Sequence, residues 1–146
     1  MKAIQRVGVI GAGTMGNGIA QTCAVAGLDA VMLDVQDAAV QRGMKTIGGS
    51  LERLLKKDKI SAADRDAAMA RITATTDYAA LAACDLIIEA ATENLELKLK
   101  ILRQVDGLAR PDAVTTRFAG RYLRVDEESW PGMPAYEVVH QLGAAA

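Results

Sequence analysis

Residues 3–20 read AIQRVGVIGAGTMGNGIA, and the order of events along them decides the fold. A short apolar run, residues 3–10, leads directly into Gly11-Ala12-Gly13-Thr14-Met15-Gly16. Small and apolar side chains then recur at Met15, Ile19, Ala20, Cys23 and Ala26, the spacing of one helix face over residues 14–26. An extended segment that turns at once into a helix through closely spaced glycines is the first half of a βαβ unit. Gly27 fits the helix stop.

Working outward, residues 30–33 (AVML) read as a second strand that ends at Asp34. Asp37 can cap a long helix reaching about Lys57, with Val40, Met44, Ile47, Leu51, Leu54 and Leu55 on one face. Ser61 with Asp64 has the spacing of a capping box for a further helix. A third strand is expected at 72–75, a short capped helix at 77–83 and a strong strand at 86–90 (LIIEA). Asn94 can cap a helix over 95–109, whose apolar face reads Leu95, Leu99, Leu102 and Val105, and Pro111 follows as a stop. A last strand is expected to begin at 113–115. Strands and helices alternating in this way predict an α/β fold of the Rossmann type, a doubly wound and mostly parallel sheet with helices on both faces. We expect residues 1–115 to form this domain. Residues 116–146, with poor periodicity and the chain's single Trp, Phe and His, form a divergent C-terminal segment. Thr116–Met133 (residues 116–133) reads as irregular with at most one short strand.

The glycine run carries the chemistry. Gly11 permits the tight turn, Gly13 leaves room for a pyrophosphate to approach the backbone, and Gly16 lets the helix pack on the strand. The free N–H groups of the helix start face the phosphates, aided by the positive end of the dipole, so Gly11, Ala12, Gly13, Thr14, Met15 and Gly16 are the cofactor-binding residues expected here. Asp34 stands 21 positions after Gly13, at the end of the second strand. That is where a carboxylate accepts from the ribose hydroxyls of NAD and repels the 2′-phosphate of NADP. The cofactor expected is NAD.

Composition narrows the remaining classes. The hydrophobic fraction is 51% but aromatics are only 3%, which suits helices packed closely on a buried sheet. A formal net charge of −1 gives no long-range field for nucleic acid or an anionic membrane. No apolar stretch approaches the ~20 residues of a membrane span, and no signal peptide is evident. Cys23 and Cys84 lack Cys or His neighbours at ligand spacing, so no metal site is expected, and free thiols fit a cytoplasmic protein.

The strings VGVIGAGTMGNGIAQ and, much later, CDLIIEAATENLELK (residues 84–98) together resemble the 3-hydroxyacyl-CoA dehydrogenases, in particular their 3-hydroxybutyryl-CoA branch, over about residues 1–114. The resemblance implies an NAD-dependent oxidoreductase of fatty-acid or butanoate metabolism that interconverts (S)-3-hydroxyacyl-CoA and 3-oxoacyl-CoA. It places Glu93 and Lys98 on the nicotinamide-side ribose, with the backbone of Ala90 and Ala91 lining the same side. The small-molecule partner implied is an acyl-CoA, with self-association left open. Lys56, Lys57 and Lys59 stand where relatives hold the phosphates of coenzyme A, although a solvated helix end accounts for them equally well.

Three of the family's features have no convincing match. The N-T-S-S turn and the H-F-F-N-P string, which carry its serine and its histidine base, do not occur. Arg117-Phe118-Ala119-Gly120 resembles the lead-in to that histidine, which would put Tyr122 in its place, and a phenol with pKa about 10 is a poor base near neutrality. His140 is the sole histidine, and its neighbours differ, so a structural or solvent-facing role is expected. On this reading the family's C-terminal helical domain is absent, no catalytic residue is assigned, and a truncated, catalytically inactive dinucleotide-binding module is the alternative.

Overall fold

The computed structural model describes residues 3–92, 94–117 and 123–124. The alternation expected from the sequence is present in order: β1 (Arg6–Ile10), α1 (Thr14–Val25), β2 (Asp29–Leu33), α2 (Asp37–Lys56), α3 (Ala62–Ala70), β3 (Ile72–Thr75), a 3₁₀ turn (Tyr78–Ala83), β4 (Leu86–Glu89), α4 (Leu95–Asp106), β5 (Val114–Arg117) and β6 (Leu123–Arg124). The sheet runs β3-β2-β1-β4-β5-β6, with every pair parallel except β5 with β6. The order reverses between β1 and β4. A crevice therefore opens at their carboxyl ends, where open α/β sheets take ligands.

Two apolar layers sandwich the sheet. Val7 and Val9 of β1 pack with Ala20 and Ala24 of α1 and Ile47 and Leu51 of α2. Ile10, Leu33 and Ile87 face the other way, onto Leu81 of the 3₁₀ turn and Ile101 and Val105 of α4. Gly8 lies between strands and helix because a Cβ there would come 2.7 Å from Leu81 Cδ2.

The helix starts follow their cap residues. Ser61 and Asp64 make both bonds of a capping box, Asp77 accepts from Ala79 N, and Asn94 accepts from Leu97 N. At α2, however, the N-cap position is Gln36, and Asp37 is the first helical residue, where its charge meets the dipole instead. The first strand is shorter than the apolar run suggests, because Gln5 N and Arg6 N are bound by the Asp85 carboxylate. Strand β5 extends to Arg117, through the 115/116 division drawn from the sequence, and the two-residue β6 pairs with it in the stretch read as irregular with one short strand.

The largest departure is on α4. Its buried positions include Lys98, Ile101 and Val105, whereas Leu99 is 41% exposed. The buried stripe is rotated from the Leu99–Leu102–Val105 reading because it contains a lysine whose charge is met inside the protein. On α1, Met15 is 49% exposed and the buried side runs Gly16, Asn17, Ala20 and Ala24.

Candidate cofactor site

The glycine loop links β1 to α1. Gly11 has φ +106°, a conformation that side-chain-bearing residues rarely adopt, and a Cβ there would come within 2.8 Å of Ala90 O. A Cβ on Gly16 would collide with the Gly11 carbonyl, so α1 starts in direct contact with the turn. A Cβ at Gly13 would meet nothing within 4 Å beyond its own chain neighbours. The space over Gly13 is open, as approach by a phosphate requires. Gly13 occupies the N-cap of α1 with no side-chain cap, which leaves the first N–H groups of the helix to an outside acceptor.

Three strand ends hold the loop in place. Gly11 N donates to Leu33 O, and Ala90 N donates to Ile10 O. Asp34, directly after β2, accepts from Ala12 N at 3.1 Å through Oδ2 and from Gln36 N at 3.1 Å through Oδ1. Each carboxylate oxygen retains lone-pair capacity for a hydroxyl donor. On the far side Gly43 brings α2 against the loop, since a Cβ there would lie 2.9 Å from Ala12 O.

A crevice of about 290 Å³ opens above these strand ends. Ile10 and Gly11 at the end of β1, Leu33, Asp34 and Val35 at the end of β2, and Ala91 after β4 line it. Leu97, Lys100, Ile101 and Gln104 of α4 also line it, with Tyr78 of the 3₁₀ turn. The volume lies at the lower end of small-molecule sites, ~300–1,000 Å³, which suits one nucleoside half of an extended ligand. Burial, reinforced by the charges of Asp34 and Glu89, pushes the Tyr78 hydroxyl pKa up, so the phenol stays neutral.

Of the residues named from the sequence, Gly11, Ala12, Gly13, Thr14, Met15, Gly16, Asp34, Ala90 and Ala91 gather at this end of the sheet. Lys98 is on α4 just beyond, but it is buried with Glu89, which the sequence reading left out. Glu93, Tyr122 and His140 lie outside the described residues. Lys56 ends α2, with Lys57 and Lys59 just after it, and none of the three lines the crevice. The sequence reading also passed over Val35, Tyr78 and the α4 wall. Val35, an apolar side chain 72% exposed immediately after the acidic strand end, is the one such signal the sequence held.

Among the described residues no three His, Cys, Asp or Glu side chains cluster as metal ligands, and no helix is long and apolar enough to cross a membrane. Burial raises both thiols, with Cys84 pushed up to about 11.

A parallel sheet that reverses order over a glycine-loop helix start, with a carboxylate at the neighbouring strand end, defines a dinucleotide-binding oxidoreductase domain. Residues 6–117 match the 3-hydroxyacyl-CoA dehydrogenase NAD-binding domain family. The chain belongs to that family and forms its NAD-binding domain, with NAD as cofactor. A 3-hydroxybutyryl-CoA dehydrogenase of Bradyrhizobium diazoefficiens is 43% identical over 111 residues, which cover 76% of this chain and 38% of that protein. The crystal structure of an (S)-3-hydroxybutyryl-CoA dehydrogenase from Ralstonia eutropha superposes with a TM-score of 0.77 at 54% identity, covering 79% of this chain and 41% of that one. The 3-hydroxybutyryl-CoA dehydrogenase of Escherichia coli gives 0.77 at 35% identity, covering 80% of this chain and 25% of that one. The chain thus spans about two fifths or less of the length of these relatives.

Proposed function

We propose that this chain binds NAD extended across the β1/β4 reversal, as the cofactor half of a cytoplasmic enzyme that interconverts (S)-3-hydroxyacyl-CoA and 3-oxoacyl-CoA in fatty-acid metabolism. The observation that carries this reading is the Asp34 carboxylate bonded to the glycine loop beside an open space over Gly13. In this reading residues 1–115 are the dinucleotide-binding domain and 116–146 a divergent segment. The loop from Gly11 to Gly16 takes the pyrophosphate on the uncapped N–H groups at the start of α1, those of Thr14 and Met15 among them, while the N–H groups of Gly11 and Ala12 brace the loop on Leu33 and Asp34, and Asp34 takes the adenosine ribose. The apolar wall of Leu97 and Ile101 receives the adenine. Ala90, Ala91, Glu93 and Lys98 take the nicotinamide side. When bound, the nicotinamide supplies a hydride acceptor or donor, and the protein's part is to hold it and keep water away.

One observation favours a second reading, a binding module without turnover: the sequence lacks the N-T-S-S turn and the H-F-F-N-P string. The two separate on one sample. Fluorescence titration with NADH tests the site, and reduction of acetoacetyl-CoA by NADH tests the chemistry. Failure to bind NADH overturns both readings, and binding without turnover selects the module.

A further inference from the structure

Glu89 ends β4 and is 0% exposed, a position that burial makes costly for a carboxylate unless its oxygens are met. Its two oxygens have different tasks. Oε1 accepts from Ala91 N at 2.7 Å and Thr92 N at 3.1 Å, which folds the turn after β4 back over its own last side chain. Oε2 lies 3.5 Å from Nζ of Lys98, which is itself 2% exposed. That distance is long for a hydrogen bond, and among the described residues Oε2 has no hydrogen-bond partner. The ammonium is therefore held by charge at one side, while its remaining protons stay available to another acceptor.

We propose that Glu89 is a positioning residue for cofactor binding: it fixes the β4–α4 turn with one oxygen and holds Lys98, in the first turn of α4, with the other. The proposal rests on the reading above that Lys98 meets the nicotinamide-side ribose, and it adds the residue through which Lys98 is placed. A lysine stem is long and flexible, and an ammonium without a counter-charge leaves a buried site for water. Lys98 is directed only because a carboxylate waits beneath it. Glu89→Gln separates the two tasks. The amide oxygen can still accept from Ala91 N and Thr92 N, but its NH₂ turns donors toward Nζ.

The test measures dissociation constants for NADH and for ADP, which reaches the adenosine half alone, on the full 146-residue chain. The variants are Glu89→Gln, Lys98→Met and the double substitution. We expect each single change to weaken NADH about tenfold and the double to be no weaker than either, since residues in one network do not add. ADP affinity is expected to stay within about twofold of the unmodified chain, a result that general loosening of the fold would not give. Equal losses for NADH and ADP, a double-variant loss near the product of the two, or an unchanged NADH affinity in Glu89→Gln overturns the proposal. Where Glu89→Gln alone unfolds, the double variant lacks both charges and is compared with Lys98→Met. Matching NADH affinities then support the proposal, and a further large drop overturns it. An unmodified chain that binds no NADH, or a Lys98→Met chain with full affinity, removes the reading of Lys98 itself and the proposal with it.

Discussion

Asp34 Oδ2 accepts a 3.1 Å hydrogen bond from the backbone N–H of Ala12, 22 positions earlier in the chain. The residue expected to choose between NAD and NADP thus also braces the loop expected to hold the pyrophosphate. The chain should bind NADH more tightly than NADPH. Asp34→Ala should weaken NADH by roughly tenfold or more, the scale of a lost hydrogen bond to a charged group, and narrow the preference. Parallel titrations with both cofactors check this, and equal affinity of the unmodified chain for the two would contradict it.

Two glycines three positions apart should respond in opposite ways. Gly13→Val adds a side chain to open space, so the domain should keep its circular dichroism and thermal midpoint while NADH binding is lost. Gly16→Ala drives a methyl into the Gly11 carbonyl and should destabilise the fold by ~1–3 kcal/mol or more, the cost of overpacking. A Gly16→Ala protein as stable as its parent would mean that α1 does not bear on the turn.

Asp85 predicts the acid limit. Its carboxyl is held down to about 2, first by the Gln5 N–H, then by the Arg110 guanidinium and the Arg6 N–H. An unfolded Asp titrates near 3.9, so the folded group is the stronger acid. Its contribution is full above about pH 4 and is lost as pH falls toward about 2. Urea midpoints across that window should fall more steeply for the unmodified chain than for Asp85→Asn. Identical slopes would assign acid unfolding to other carboxylates.

Turnover of acetoacetyl-CoA with NADH by this chain should stay near background even where cofactor binds. General-base catalysis contributes typically ~10²–10⁴-fold, and neither the serine turn nor the histidine string of the family occurs here. The comparison is with His140→Ala. Robust turnover that this substitution removes would make His140 the base.

Much of this was legible because it is local. The glycine run and the caps at Ser61, Asp77 and Asn94 act over a few residues, and each appears as its spacing predicts, while the acid at the end of β2 was found by its fixed distance from the run. The α4 face was not legible for a physical reason. Hydrophobic periodicity assigns a lysine to solvent, and only the neighbouring β4 reveals that Glu89 meets Lys98 inside. The crevice wall was hidden likewise: Tyr78, Leu97 and Ile101 belong to separate elements that only the finished sheet brings together. Asp37 shows a smaller limit, since a cap and a first-turn acid look alike until the backbone is seen.

The pairing of β1 with β4 also has a kinetic consequence. Arg6 and Asp85, joined at the start of that pair, are 79 positions apart. The β1–β2 half can form early from nearer contacts, whereas the step that creates the crevice must close a long loop and comes late. No early species on the folding route then owns a complete cofactor site. Added dinucleotide should slow unfolding and stabilise the folded state by ~2.7 kcal/mol at a hundredfold excess over its dissociation constant, raising the melting temperature, while leaving the rate of folding nearly unchanged.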